Sequence, residues 1–275
     1  MTTMRIFVAA IAASALLMLS RAEAAPVSDS ERSSVDAVAP GAAVIANASA
    51  LELLVGAAET GNAQAMNFLG VLFATGSQLP RDYPMALYWF QKAIDGGSSD
   101  AMDNLGGMYL VGMGAPRDYV NAFRWFEHSA AHGNVRSMYS VAVMADEGLG
   151  TSRDPKLART LYRQAAKSGC VPAMIWVGDD YARGAVNERD LVEAYAWLQL
   201  ALQSNVQEER QIKLLAKIER LGARLSADRR DAARGRATHL AEFLRSRALS
   251  GLREATTLSR SSFVSSESDG IATFR

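Results

Sequence analysis

The sequence repeats itself every 36 residues, and this period restricts the fold more than any other feature. Identical residues recur at this spacing in three series, which are Gly61, Gly97, Gly133 and Gly169; Met66, Met102, Met138 and Met174; and Gly76, Gly112, Gly148 and Gly184. An Arg-Asp pair recurs in the same way, at 81–82, 117–118, 153–154 and 189–190. Periods of this length are typical of stacked repeats, in which each unit buries its apolar face against its neighbours.

The first half of each unit has the pattern of an amphipathic helix. In the first unit, Met66, Leu69 and Phe73 follow one another at the spacing of one helical face. Asn62 precedes this stripe and is a favourable N-cap residue. Gly76 follows it, where glycine can adopt the left-handed conformation that ends a helix. The corresponding positions of the later units predict the same helix.

The second half of each unit predicts a second helix. It begins at the recurring aspartate, which is Asp82 in the first unit, because a carboxylate suits the free N–H groups and the positive end of a helix. Ala86, Trp89 and Phe90 then form an apolar stripe, and Gly97 closes the helix. Small residues that face large ones let two helices approach closely. The sequence therefore predicts an all-α fold of paired antiparallel helices.

Four complete units are predicted, at residues 62–97, 98–133, 134–169 and 170–205. Before them, a capping box begins a half-unit at Ser49, so the predicted repeat array spans 49–205. Beyond the array the repeat register is lost but a helical pattern continues, which predicts atypical capping helices over 206–254. Residues 25–48 lack a helical period and residues 255–275 are rich in Ser and Thr, so both ranges are predicted to be disordered.

The N-terminal 24 residues have the features of a signal peptide. Arg5 gives a positive start, the uncharged run 6–19 follows, and Ala22 and Ala24 supply the small residues that precede a cleavage site. A membrane-spanning helix needs roughly 20 apolar residues, which is longer than this run. We therefore predict cleavage before Ala25, with retention as a membrane anchor as the alternative. The mature chain is then expected to be periplasmic or secreted, with no stable membrane span.

The charge is unevenly distributed, although the chain has no net charge. Residues 25–205 hold 13 basic and 19 acidic residues, whereas residues 206–260 hold 13 basic and 7 acidic residues. Because acids are interleaved with the bases in the second range, we interpret it as a solvated helix surface and predict no nucleic-acid partner. Cys170 is the only cysteine, so no internal disulfide can form, and its thiol is expected to be buried.

The sequence offers little chemistry for catalysis. His128 and His132 are one helical turn apart, but no third ligand is evident, so we predict no metal site and no cofactor. The recurring Arg-Asp pair is expected to cap helices and form salt bridges. The alternative hypothesis is a cell-wall hydrolase that uses carboxylates such as Asp179 and Asp180. A non-catalytic role is favoured because the recurring residues are those of packing, and no catalytic residue is predicted.

The repeat resembles the Sel-like repeat (SLR) family, a branch of the tetratricopeptide-like superfamily. The first unit matches the family pattern at Ala65, Leu69-Gly70, Phe73, Gly76, Asp82, Ala86, Trp89-Phe90, Ala93 and Gly97. The third unit departs from it, because Ala142, Ala145 and Leu161 replace the expected Gly, aromatic residue and Trp, and we expect looser packing there. The resemblance implies a right-handed α-solenoid with a concave groove. It also implies a protein-binding adaptor or scaffold, in envelope assembly, polysaccharide secretion or signalling control.

Partner specificity is expected at surface positions that differ between units. One such position of the first helix holds Asn67, Asp103, Tyr139 and Ile175, and the position four residues later holds Val71, Gly107, Val143 and Asp179. The resemblance implies that the first helices line the groove. We therefore predict a partner-binding face that includes Asn67, Asp103, Tyr139, Ile175 and Asp179. Tyr139 and Ile175 would be its anchors; the alternative is that these two side chains pack against the neighbouring unit.

Overall fold

The computed structural model describes residues 40–77, 79–184, 188–204 and 208–268. These ranges contain eleven helices and no strand. The helices are α1 (Pro40–Glu59), α2 (Ala63–Thr75), α3 (Tyr83–Asp95), α4 (Ser99–Val111), α5 (Tyr119–Ala131), α6 (Val135–Glu147), α7 (Pro155–Lys167), α8 (Val171–Arg183), α9 (Glu188–Gln203), α10 (Glu208–Gly222) and α11 (Ala227–Ser268). The predicted all-α fold is confirmed. None of these described helices is long and apolar enough to cross a bilayer.

The chain divides into two compact units, and the division falls between Leu161 and Tyr162, within α7. The first unit contains α1 to α6 and the beginning of α7, and the second contains the remainder of α7 and α8 to α11. The predicted helix pairs are present in both. In the first unit α2 packs against α3 and α4 against α5, and in the second unit α8 packs against α9.

Helix caps occur where the sequence predicts them in the first three repeats. Asn62, Ser98 and Asn134 precede α2, α4 and α6, and each side chain accepts a hydrogen bond from an N–H group of the first helical turn. Asp82 and Asp118 do the same for α3 and α5. These local bonds fix the helix starts because they satisfy N–H groups that have no partner within the helix.

The fourth repeat departs from this cap pattern. Gly76 ends α2 in the left-handed conformation with φ 71°, whereas Gly184 ends α8 with φ −89°. Helix α9 already begins at Glu188, so Asp190 lies inside its first turn and not at its N-cap. Cys170 is the N-cap of α8, and its side chain makes no capping hydrogen bond. The recurrence of a residue type therefore does not guarantee the recurrence of its role.

The paired helices of the first unit approach closely at a recurring glycine. A Cβ atom at Gly70 would lie 2.6 Å from the ring of Phe90, and one at Gly106 would lie 2.9 Å from the ring of Phe126. Both rings are almost completely buried. In the third repeat alanine replaces this glycine, and Ala142 is fully buried as well.

The terminal helices are longer than the sequence predicts. Helix α1 begins at Pro40, within the range 25–48 that was expected to be disordered, so Ser49 lies inside a helix and not at its N-cap. Helix α11 continues to Ser268, past residue 254. An alanine-rich segment has a high helix propensity without any apolar stripe, and extending an existing helix needs no new nucleation. The predicted signal peptide lies outside the described residues.

Candidate partner-binding face

Asn67 on α2 shows which way the first variable position faces. Its Oδ1 accepts a hydrogen bond of 2.8 Å from Nδ2 of Asn104, which lies on α4. The position therefore points towards the first helix of the next repeat. Asn67 and Asn104 are both partly exposed, so this amide pair lies at the surface between two repeats.

Asp103 holds the same position on α4, but it is only 7% exposed. Ser137 Oγ donates a hydrogen bond to its Oδ1, and Arg136 Nη2 lies 3.1 Å from its Oδ2. Burial raises the pKa of Asp103, because the loss of hydration outweighs the opposing effects of the Arg136 guanidinium and the Ser137 hydroxyl. The exposure that the sequence analysis expected at this position is absent, because the carboxylate is used in the contact with α6.

Two further side chains extend this contact towards the solvent. Asn134 Nδ2 donates a hydrogen bond of 2.8 Å to Asp100 Oδ1, and Arg136 Nη2 lies 3.4 Å from the same oxygen. The Asp100 side chain is half exposed. We refer to Asp100, Asp103, Asn134, Arg136 and Ser137 as the inter-repeat network, since it joins the first helices of the second and third repeats.

The second variable position belongs to the core in the first unit. Val71, Gly107 and Val143 are all buried. Their expected place on a surface is therefore wrong, because the surrounding fold covers these positions. Tyr139, at the first position of α6, remains partly exposed.

In the second unit, Ile175 and Asp179 lie on α8 and are both partly exposed. The carboxylate of Asp179 forms a salt bridge with Nζ of Lys217 on α10. Asp180 Oδ2 lies 3.6 Å from Nη2 of Arg163. The two adjacent carboxylates of the hydrolase hypothesis are thus each ion-paired with a different helix.

Trp176 is a partly exposed aromatic residue on this face that the sequence analysis missed. Its ring stacks on Tyr162 with a centroid distance of 4.0 Å, and the Arg183 guanidinium lies 5.9 Å from its ring centroid. Phe68, Asn104 and Ser140 hold the same position in the other repeats. The aromatic residues that this position holds in the first and fourth repeats, Phe68 and Trp176, were the available signal in the sequence.

The other candidate groups have structural partners. His132 Nδ1 lies 2.8 Å from the backbone oxygen of His128, and the described ranges contain no cluster of three His, Cys, Asp or Glu side chains that could hold a metal ion. Burial raises the pKa of the Cys170 thiol to about 11. A thiol with such a pKa is protonated at neutral pH and therefore weakly nucleophilic.

Known proteins share this architecture. A crystal structure of c5321, described as a protective antigen present in uropathogenic Escherichia coli strains and displaying an SLR fold, matches with a TM-score of 0.60 and 25% identity. The match covers 74% of this chain and 43% of that protein, so this chain spans less than half the length of its relative. A Sel1 repeat protein from Oxalobacter formigenes is 30% identical over 45% of this chain and 92% of its own, with a TM-score of 0.42. No curated protein matches the chain.

The repeat itself identifies the family. The Sel1 repeat model matches residues 63–98, 99–134, 135–170 and 171–206, one residue later than the predicted unit boundaries. These four matches follow one another without a gap and cover more than half of the chain. They contain the helix pairs, the glycine contacts and the caps described above, except Asn62, which directly precedes the first match. The chain belongs to the Sel1 repeat family and folds as an all-α solenoid.

Proposed function

We propose that this chain is an exported, non-catalytic scaffold or adaptor that binds another protein in the bacterial envelope. Sel1 repeat proteins generally mediate protein–protein interaction, and this chain belongs to that family. The proposal rests on a difference in burial between the recurring and the differing residues of the repeat. Recurring residues such as Phe90 and Phe126 are buried, whereas the differing residues Tyr139, Ile175 and Trp176 remain partly exposed.

The proposal of export rests on the N-terminal segment. The N-terminal 24 residues have the charge and apolar pattern of a signal peptide. Envelope assembly, polysaccharide secretion and signalling control are the processes that we propose for the partner.

The side chains proposed to contact the partner lie on first helices. Tyr139 on α6 and Ile175 on α8 supply an aromatic and an aliphatic side chain, and such groups dominate the binding energy of most interfaces. Trp176 adds a second aromatic side chain beside Ile175. Asn67 and Asp179 contribute polar groups at the surface, each already bonded within the protein.

The proposal is tested with the full chain expressed with its own N-terminal segment. A Tyr139→Ala, Ile175→Ser double variant is compared with the wild type for recovery of envelope proteins by affinity capture and mass spectrometry. The matched control is Val120→Ala, Leu157→Ser, which changes two exposed apolar residues on second helices. We expect the first variant to lose a protein that the wild type and the control both retain, with unchanged helicity by circular dichroism. If both variants retain the captured protein, the partner binds at another surface. If the first variant loses helicity, Tyr139 and Ile175 belong to the core.

A further inference from the structure

Two residues of the inter-repeat network differ from their counterparts in every other repeat. Ser137 stands where the other three repeats have Ala65, Ala101 and Ala173, and Asp103 stands where they have Asn67, Tyr139 and Ile175. The two exceptional residues contact each other across the junction, since Ser137 Oγ donates to Asp103 Oδ1. A buried carboxylate is costly unless it is paired and hydrogen-bonded. The serine therefore supplies a hydrogen bond that alanine could not give.

Few charged groups act on Asp103. Arg136 approaches from α6 and Asp100 lies on the same helix, and these are the two charges that influence its pKa. Helix α2 carries no ionisable side chain. None of the other ionisable residues on the neighbouring helices is among the causes of this shift. They are Tyr83, Tyr88, Lys92 and Asp95 on α3; Tyr119, Arg124, Glu127 and His128 on α5; and Tyr139, Asp146 and Glu147 on α6.

Arg136, the positive partner of Asp103, also contacts a second carboxylate. Arg136 is 39% exposed and also contacts Asp100, so its charge is shared between two carboxylates and screened by water. The Asp103 carboxylate itself is buried. A protonated carboxyl group at this place would avoid the cost of a buried charge, and one of its oxygens could still accept the hydrogen bond from Ser137.

We propose that the Asp103 contact is a proton-sensitive junction, in which protonation of Asp103 strengthens the packing of the second repeat against the third and ionisation weakens it. The junction would respond to acidification of the compartment outside the inner membrane, if the chain is exported as proposed above.

The direction in which stability changes with pH follows from proton linkage. The pKa of Asp103 in the folded protein lies above its ordinary value of 3.8, so the folded state binds the proton more tightly than the unfolded state does. The stabilisation is fully present below that ordinary value, and it is lost as the pH rises through the folded pKa. Within this window one group can change the equilibrium constant for opening by up to about tenfold per pH unit.

We expect a raised titration of the Asp103 carboxyl group and a pH-dependent opening of the helices that it joins. In the wild-type protein, NMR of carboxyl-labelled aspartate should show Asp103 titrating above its ordinary value of 3.8. Native-state hydrogen exchange of α4 and α6 should show opening that becomes more frequent as the pH rises through the window. The Asp103→Asn variant keeps an acceptor for Ser137 without a charge and should lose this pH dependence.

Asp100→Asn is the matched control, because Asp100 contacts the same arginine from a half-exposed position. It should retain the pH-dependent opening of the wild type. Titration of Asp103 at or below its ordinary value of 3.8 would overturn the proposal. So would an unchanged pH dependence of opening in Asp103→Asn. If that variant does not fold, the wild-type titration still decides the question. Because no partner enters these measurements, their failure would leave the scaffold proposal standing.

Discussion

The ring of Phe126 lies directly against the backbone of Gly106, so that a Cβ atom at Gly106 would be only 2.9 Å from the ring. Phe126 is 2% exposed and cannot move into solvent. This pair holds the two helices of the second repeat together at a distance that only glycine permits, and the same arrangement recurs between Gly70 and Phe90.

Gly106→Ala should destabilise the protein by about 1–2 kcal/mol. Overpacking of a filled core typically costs about 1–3 kcal/mol, and alanine recovers part of this through its better helix propensity. Urea denaturation measures the change. Gly56→Ala is the control, because a Cβ atom there would have no neighbour within 4 Å. The control should gain about 0.5–1 kcal/mol, and equal effects at the two sites would contradict the close approach.

Phe126→Ala should cost about 3–5 kcal/mol, since it removes a large buried side chain and leaves a cavity. The loss should appear as a lower midpoint in urea and a lower melting temperature by circular dichroism. Val120→Ala on the same helix changes a residue that is 48% exposed and should have little effect. Should Phe126→Ala melt like the wild type, the assignment of this ring to the core would be wrong.

The helix caps predict changes of opposite sign at equivalent positions. Asn62→Ala removes a hydrogen bond of 3.0 Å to the N–H group of Ala65 and should cost about 1 kcal/mol. Cys170→Ser adds a hydroxyl acceptor at an N-cap that lacks a side-chain bond, and it should gain about 0.5–1 kcal/mol. Both are measured by chemical denaturation. Destabilisation by Cys170→Ser would mean that thiol packing matters more than capping.

Cys170 should react slowly in the native protein. Its pKa rises from 9.0 to about 11, which lowers the thiolate fraction at neutral pH by about 100-fold. Alkylation with iodoacetamide should therefore be at least about 100-fold slower in the native protein than in urea. Through the same linkage, the Cys170 contribution to stability should be present below pH 9.0 and be lost towards about pH 11. Equal alkylation rates in the two states would show that the thiol is accessible.

The exported protein should begin at or near Ala25. Intact-mass spectrometry of the protein recovered from the periplasmic or secreted fraction measures its N-terminus directly. A mass that includes residues 1–24 would favour the membrane anchor over cleavage.

The sequence by itself determined the repeat, the paired helices and most of their caps. These features depend on neighbours within one or two helical turns, so a 36-residue period and a well-placed Asn or Asp are sufficient to predict them. The prediction failed at Asp190, where a recurring aspartate lies inside α9 because that helix begins earlier. It also placed Val71 and Val143 on a surface, because spacing along one helix does not show which neighbouring helix covers it.

Only the tertiary structure decided the roles of Asp103 and Trp176. Asp103 looked like an exposed polar residue of the groove, but contacts with Arg136 and Ser137 of the next repeat bury it. The repeat pattern indicated no role for Trp176, but its ring stacks on Tyr162 of the preceding helix. In each case the contacting residue lies on another helix, and its distance from Asp103 or Trp176 depends on how the helices pack. Local pattern therefore fixes the helices, whereas the contacts between them decide which side chains are available to a partner.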